Sequence, residues 1–278
     1  MIAGWVVCAV LILGACIPEP LEVSGIPKVK PEIVVSSQII ADHSLVVFLT
    51  KTFGALEASN ESDPESVLNQ IAVNDAVVTV EHNGAIDTLI RIDTGAYGGI
   101  NFTFREGELY TLRVESPSLG TVTATTEVKP QILFEEVTGE LYYDGFDDTL
   151  AQVSYAFNDP SEKNWYMINV LEVDHAELEN NLLNPRDFSR LLNDEEFNGK
   201  HYSEVFRIFP REFSRGDTIA VYLSNISEDY YNYMEKRLGN RFGIFEFVSE
   251  PVNYRTNVIG GRGFFNLYSP DIKFLVLE

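Results

Sequence analysis

The sequence predicts a mainly β chain: an N-terminal immunoglobulin-like or transthyretin-like sandwich, then a second antiparallel β-sandwich domain with one inserted helix. Three observations predict it. Apolar and polar residues alternate over short runs along most of the 278 residues, the period of a half-buried strand. Gly, Asn, Asp and Pro clusters break those runs at close spacing, as in sandwich folds. Only residues 228–238 carry a clear helical period behind a capping signal.

The N-terminus is of a different kind. Residues 6–13 are almost wholly apolar and lead into Leu13-Gly14-Ala15-Cys16. The run is too short to cross a bilayer, which takes about 20 apolar residues. It has the length and small-residue ending of a secretory signal, although no Lys or Arg precedes it. We read residues 1–15 as a lipoprotein signal peptide and Cys16 as the lipidation site. Residues 16–28 then form a tether, stiffened by Pro18 and Pro20. Ile17 rather than Asp follows the cysteine, so outer-membrane placement is expected, facing the periplasm or the exterior.

Residues 29–129 are assigned to the first sandwich. Residues 77–81 and 86–92 flank Asn83-Gly84, a strong hairpin signal. A short helix is expected from Pro64. Tyr110, Leu112 and Val114 alternate with Thr111 and Arg113, and Val122, Ala124, Thr126 and Val128 with threonines and Glu127. Gly107 and the stretch 95–99 are read as turns. Lys129-Pro130 marks the expected boundary, and residues 130–278 form the second β domain. There Ala151, Val153, Tyr155 and Phe157 face one way and Gln152, Ser154 and Asn158 the other. Residues 165–173, 219–226 and 273–278 are further strands. The helix 228–238 has Ser227 as N-cap, Glu228 and Asp229 in its first turn and Gly239 just past its end, at the C′ position that favours a left-handed glycine. Its stripe of Tyr230, Tyr233, Met234 and Leu238 reads as a packing face.

Forty-two acidic residues against 20 basic ones give a formal net charge of −22. That excludes a phosphate-binding surface for nucleic acid and electrostatic docking on anionic lipid. The two cysteines are Cys8, inside the signal, and Cys16, which leaves no thiol for a disulfide, a zinc site or a nucleophile.

The run Gly216-Asp217-Thr218, Val221-Tyr222-Leu223 and Ile226-Ser227-Glu228-Asp229-Tyr230-Tyr231 is followed by Glu250-Pro251-Val252 and by Asn257-Val258-Ile259-Gly260-Gly261-Arg262-Gly263-Phe264-Phe265. In order and spacing this resembles a family of Bacteroidota envelope lipoproteins whose domain, number four-two-four-nine, has no known function. The resemblance covers essentially all of the chain after the signal. It implies a lipid anchor in the membrane and association with TonB-dependent outer-membrane receptors. It brings no catalytic residues with it.

The residues themselves supply no catalytic motif. His-Glu-x-x-His, Gly-x-Ser-x-Gly and Ser-x-x-Lys patterns are absent, and His43, His82, His175 and His201 are scattered. The cluster Asp144-Gly145-Phe146-Asp147-Asp148 is read as a polar turn, since its order does not match an EF-hand. No catalytic residue, metal site or cofactor is assigned. Binding is expected at Arg262, with Phe264 and Tyr231 beside it, because an Arg on a Gly-rich loop offers a rigid donor fork. The expected function is a non-enzymatic, outer-membrane-anchored lipoprotein that binds a ligand or partner, accessory to a TonB-dependent receptor. A surface adhesin or structural envelope protein is the alternative, with a two-carboxylate glycan-active enzyme behind it.

Overall fold

The structure is a computed structural model that describes residues 30–39, 44–53, 64–99, 104–143, 145, 149–173, 189–208, 212–239 and 255–278. Cys16, the signal and the tether lie outside the described residues, as do Asp144 and residues 146–148. Sixteen strands and two helices are described, and all but one of the strand pairings are antiparallel.

In the first half, β1 (Ile33–Ile39), β2 (Leu45–Lys51), α1 (Pro64–Ile71), β3 (Val77–His82), β4 (Ala85–Asp93), β5 (Ala96–Gly99), β6 (Leu109–Ser116) and β7 (Gly120–Glu127) follow in order. Asn83 and Gly84 both take positive φ, 48° and 79°, which a two-residue turn matched to strand twist requires. The stretch expected to be turns, 95–99, is instead mostly β5. Its backbone is buried between β2 and β4, where only small residues and Tyr97 leave room. β4 pairs with β3 through its first half and with β5 through its second, so one strand serves both layers.

The second half holds β8 (Phe134–Tyr143), β9 (Thr149–Asn158), β10 (Trp165–Glu172), β11 (Ser189–Asn193), β12 (His201–Arg207), β13 (Thr218–Ile226), α2 (Glu228–Gly239), β14 (Val258–Ile259), β15 (Arg262–Phe264) and β16 (Asp271–Val276). A four-stranded sheet, β11-β10-β13-β16, and a three-stranded sheet, β12-β9-β8, share one core. Val153, Tyr155 and Phe157 of the smaller sheet meet Tyr166, Ile168, Val221 and Leu223 of the larger. The alternation in β9 is the one read from the sequence.

Strand pairings cross the expected boundary at Lys129–Pro130. Pro31–Glu278 forms one compact unit. β14 pairs with β7, and β15 pairs in parallel with β1. The first sheet thus runs β14-β7-β6-β3-β4-β5-β2-β1-β15, and its two end strands are joined by the turn at Gly260 and Gly261. Tyr230, Tyr233 and Met234 of α2, with Met167 and Ile226, belong to the same core as Val35, Val47 and Leu112. Local period cannot reveal this, because two-residue and three-residue strands have no period to read.

α2 begins as expected. The Tyr230 amide donates to Ser227 Oγ at 3.2 Å and the Tyr231 amide to the Ser227 carbonyl at 2.9 Å. Gly239 is the last helical residue and does not take positive φ, so the expected left-handed glycine cap is corrected.

Candidate functional site

The glycine motif turns out to be a fastener. Gly263 takes φ +87° and lies against Val35 in the parallel pairing, so a Cβ there would land on the Val35 carbonyl oxygen. At Gly261 a Cβ would lie 2.5 Å from the Ile33 carbonyl oxygen. Asn257 clamps the loop: its Nδ2 donates to the Phe265 carbonyl at 2.7 Å, and its Oδ1 accepts from the Phe265 amide at 2.9 Å. Thr256 Oγ1 donates to the Gly263 carbonyl at 2.6 Å.

This placement revises the expected binding residues. Phe264 is 4% exposed, with its ring centroid 5.4 Å from Tyr230 and 5.3 Å from Tyr233. It is a core residue and is closed to a ligand. Tyr231 is half-buried and packs against the same core. Arg262 Nε donates to Glu32 Oε2 at 2.6 Å, which ties β15 to the start of β1. Their shared neighbourhood is architectural.

Of the histidines, His82 pairs with Glu108 and stacks on Tyr110 at 4.3 Å, and His201 lies 3.2 Å from Glu135. His43 and His175 lie outside the described residues. Among the described residues, no group of three or more His, Cys, Asp or Glu is placed to hold a metal ion.

The most site-like surface is the outward face of the three-stranded sheet. Three cross-strand rows build it: Glu136, Ala156 and Ser203; Thr138, Ser154 and Val205; Glu140, Gln152 and Arg207. The first two rows line a trough of about 290 Å³. The floor is shallow because Ser and Ala occupy β9 where the opposite face carries Tyr155 and Phe157. Both ends are closed by paired polar groups. Asn158 Nδ2 donates to Glu135 Oε2 at 3.3 Å beside His201. At the other end Arg207 lies 3.5 Å over the Tyr142 ring centroid, with its Nε donating to Gln152 Oε1 at 2.9 Å. Between them Glu136 is exposed and has no hydrogen-bond or ion-pair partner among the described residues.

Glu204, between Ser203 and Val205 on β12, also borders the trough. It accepts from Tyr155 OH at 2.7 Å, from Tyr202 OH at 3.2 Å and from Arg190 Nε at 2.8 Å. Arg190 is on β11, so this cluster fastens the edges of the two sheets. Burial, reinforced by the bond to Glu204, pushes the Tyr155 phenol well above its usual range. An inward Glu within an alternating strand was the one sequence signal for this cluster, and the alternation of β9 the signal for the trough floor.

Fold and face together define a mainly β chain, built largely of antiparallel pairings, with an open polar trough on its three-stranded sheet. The chain belongs to the family described as domain of unknown function (DUF4249), whose model matches residues 19–273. No curated protein matches it. Among solved structures it is similar to the FN1–FN3 domains of chicken CNTN1, at 14% identity and a TM-score of 0.25, covering 72% of this chain and 62% of that one. It thus spans less than two thirds of that chain's length. It is also similar to a two-domain fibronectin type III segment of chicken tenascin, at 9% identity and a TM-score of 0.22, covering 70% and 90%.

Proposed function

We propose that this chain is a lipid-anchored lipoprotein of the outer membrane, held by Cys16, that binds a partner and does not catalyse a reaction. Its β layers are an immunoglobulin-like sandwich, into whose core α2 packs, and a second sandwich. The observation that carries the binding role is the trough on β12-β9-β8. Its small-residue floor and hydroxyl lining suit a polar, extended segment laid across three strands. The partner we assign is a TonB-dependent outer-membrane receptor. The support for it is the lipoprotein signal together with the family to which the chain belongs. No helix among the described residues is long and apolar enough to cross a membrane, and a lipid on Cys16 would supply the anchor instead.

Two variants test this. Cys16→Ser should move the protein from the membrane to the soluble fraction and abolish fatty-acid labelling. Ser154→Tyr should fill the trough, leave the melting temperature within a few degrees, and prevent co-purification of the receptor from detergent-solubilised membranes. Co-purification by the folded Ser154→Tyr protein at the wild-type level would remove the trough from the proposal. An unlabelled, intact N-terminus would remove the anchor.

A further inference from the structure

Two loops meet at one end of the second sandwich, residues 159–164 between β9 and β10 and residues 194–200 between β11 and β12. Each loop buries a carboxylate: Asp159 is 6% exposed and Asp194 1%. Consecutive residues hold the pair. Asn198 Nδ2 donates to Asp194 Oδ2 at 3.3 Å, and the Gly199 amide donates to Asp159 Oδ2 at 2.8 Å. The Asn164 amide donates to Asp194 Oδ2 at 2.5 Å, and Tyr166 OH donates to Asp159 Oδ1.

Every one of these donors is neutral. Among the described residues, no Lys, Arg or His forms an ion pair with either carboxylate; the nearby Lys163 reaches Glu195 instead, at 3.4 Å. Asp194 Oδ1 is buried with no hydrogen-bond partner. Burying two like charges without a countercharge is costly, and leaving a carboxylate oxygen unmet adds to the cost. A cation held between the two loops would offset that cost.

We propose that Asp159 and Asp194 bind one calcium ion between them, with Asp194 Oδ1 as a ligand. The available donors are oxygens only: two carboxylates, loop carbonyls and water. That set suits a hard cation, and an irregular loop suits the loose geometry of calcium better than the strict octahedron of magnesium. The ion would tie the β9–β10 loop to the β11–β12 loop. It stands independently of the trough and the lipid anchor.

The test is titration of the chelator-treated protein with calcium chloride, read by calorimetry and by thermal melting. We expect saturable binding of one ion and a rise of several degrees in melting temperature, with a smaller rise from magnesium. Asp194→Asn should abolish both effects, and Asp159→Asn should weaken binding at least tenfold. Two results would overturn the proposal: a wild-type protein whose melting does not respond to millimolar calcium, or binding of unchanged affinity in a folded Asp194→Asn variant. Should Asp194→Asn fail to fold, the wild-type titration and Asp159→Asn decide the matter alone.

Discussion

Replacing Gly263 with alanine tests whether the glycine motif fastens the first sheet. Two costs arise. The positive φ of 87° disfavours a side chain by about 1–2 kcal/mol. The larger cost is collision, since the new Cβ would overlap the Val35 carbonyl oxygen and lie 2.8 Å from the Val35 carbonyl carbon and amide nitrogen. All three are backbone atoms of the buried strand β1, so β15 must leave it. The three register pairs, Val34–Arg262, Val35–Gly263 and Ser36–Phe264, are lost. Phe264, 4% exposed, and Phe265, fully buried, are pulled towards water, at about 1.5–3 kcal/mol for each ring fully exposed. Partial exposure of both and the loss of two backbone hydrogen bonds bring the total to roughly 4–5 kcal/mol, a large share of a typical domain's stability. Gly107→Ala is the matched control: its φ is +74° and nothing lies within 4 Å, so it should cost only about 1 kcal/mol. Equilibrium urea unfolding followed by the fluorescence of Trp165, which packs against the first core, measures both. A Gly263→Ala loss no greater than that of Gly107→Ala would refute the reasoning.

Three further outcomes are expected. Asn257→Ala strips the Phe265 amide and carbonyl of their partners and should lower stability by about 2–4 kcal/mol in the same urea assay. Ser227→Ala removes the N-cap of α2 and should cost about 1 kcal/mol, whereas Ser227→Asp should cost little. Burial pushes the Tyr230 phenol up from 10.0 to about 12, and it also raises Tyr268. The folded state therefore favours the neutral phenol. The resulting stabilisation is complete below pH 10 and disappears as pH climbs towards 12. Melting temperature should fall across that window, with phenolate absorbance from these rings appearing only as the protein unfolds; reversible ionisation at pH 10 in the folded state would contradict it.

The sequence made some elements legible because their causes are local. Asn83-Gly84 meets the conformational demand of its turn by itself, and Ser227 caps α2 with its own hydroxyl. The alternation in β6, β7 and β9 follows from one buried face per strand. The second-half motif was legible as a motif, but the burial of Phe264 in the core and the pairing of Arg262 with Glu32 were not. A Gly-rich loop bearing an Arg looks the same in sequence whether it greets a ligand or closes a sheet. What separates the two cases is Val35, more than two hundred residues away, pressed against Gly263. The trough was half visible, since the outward residues of β9 were read from its alternation and no reading was made for the walls on β8 and β12.

The sequence by itself determined the β character, the position of both helices, the hairpin turns and the acidic surface. Each depends on neighbours within a few residues, where side-chain period and backbone preference act directly. Only the tertiary structure decided that β14 and β15 return to close the first sheet and that α2 seats its tyrosines in that sheet's core. The same is true of the burial of Asp159 and Asp194. Those outcomes are set by which distant surfaces exclude water together, a property of packing that no local window contains.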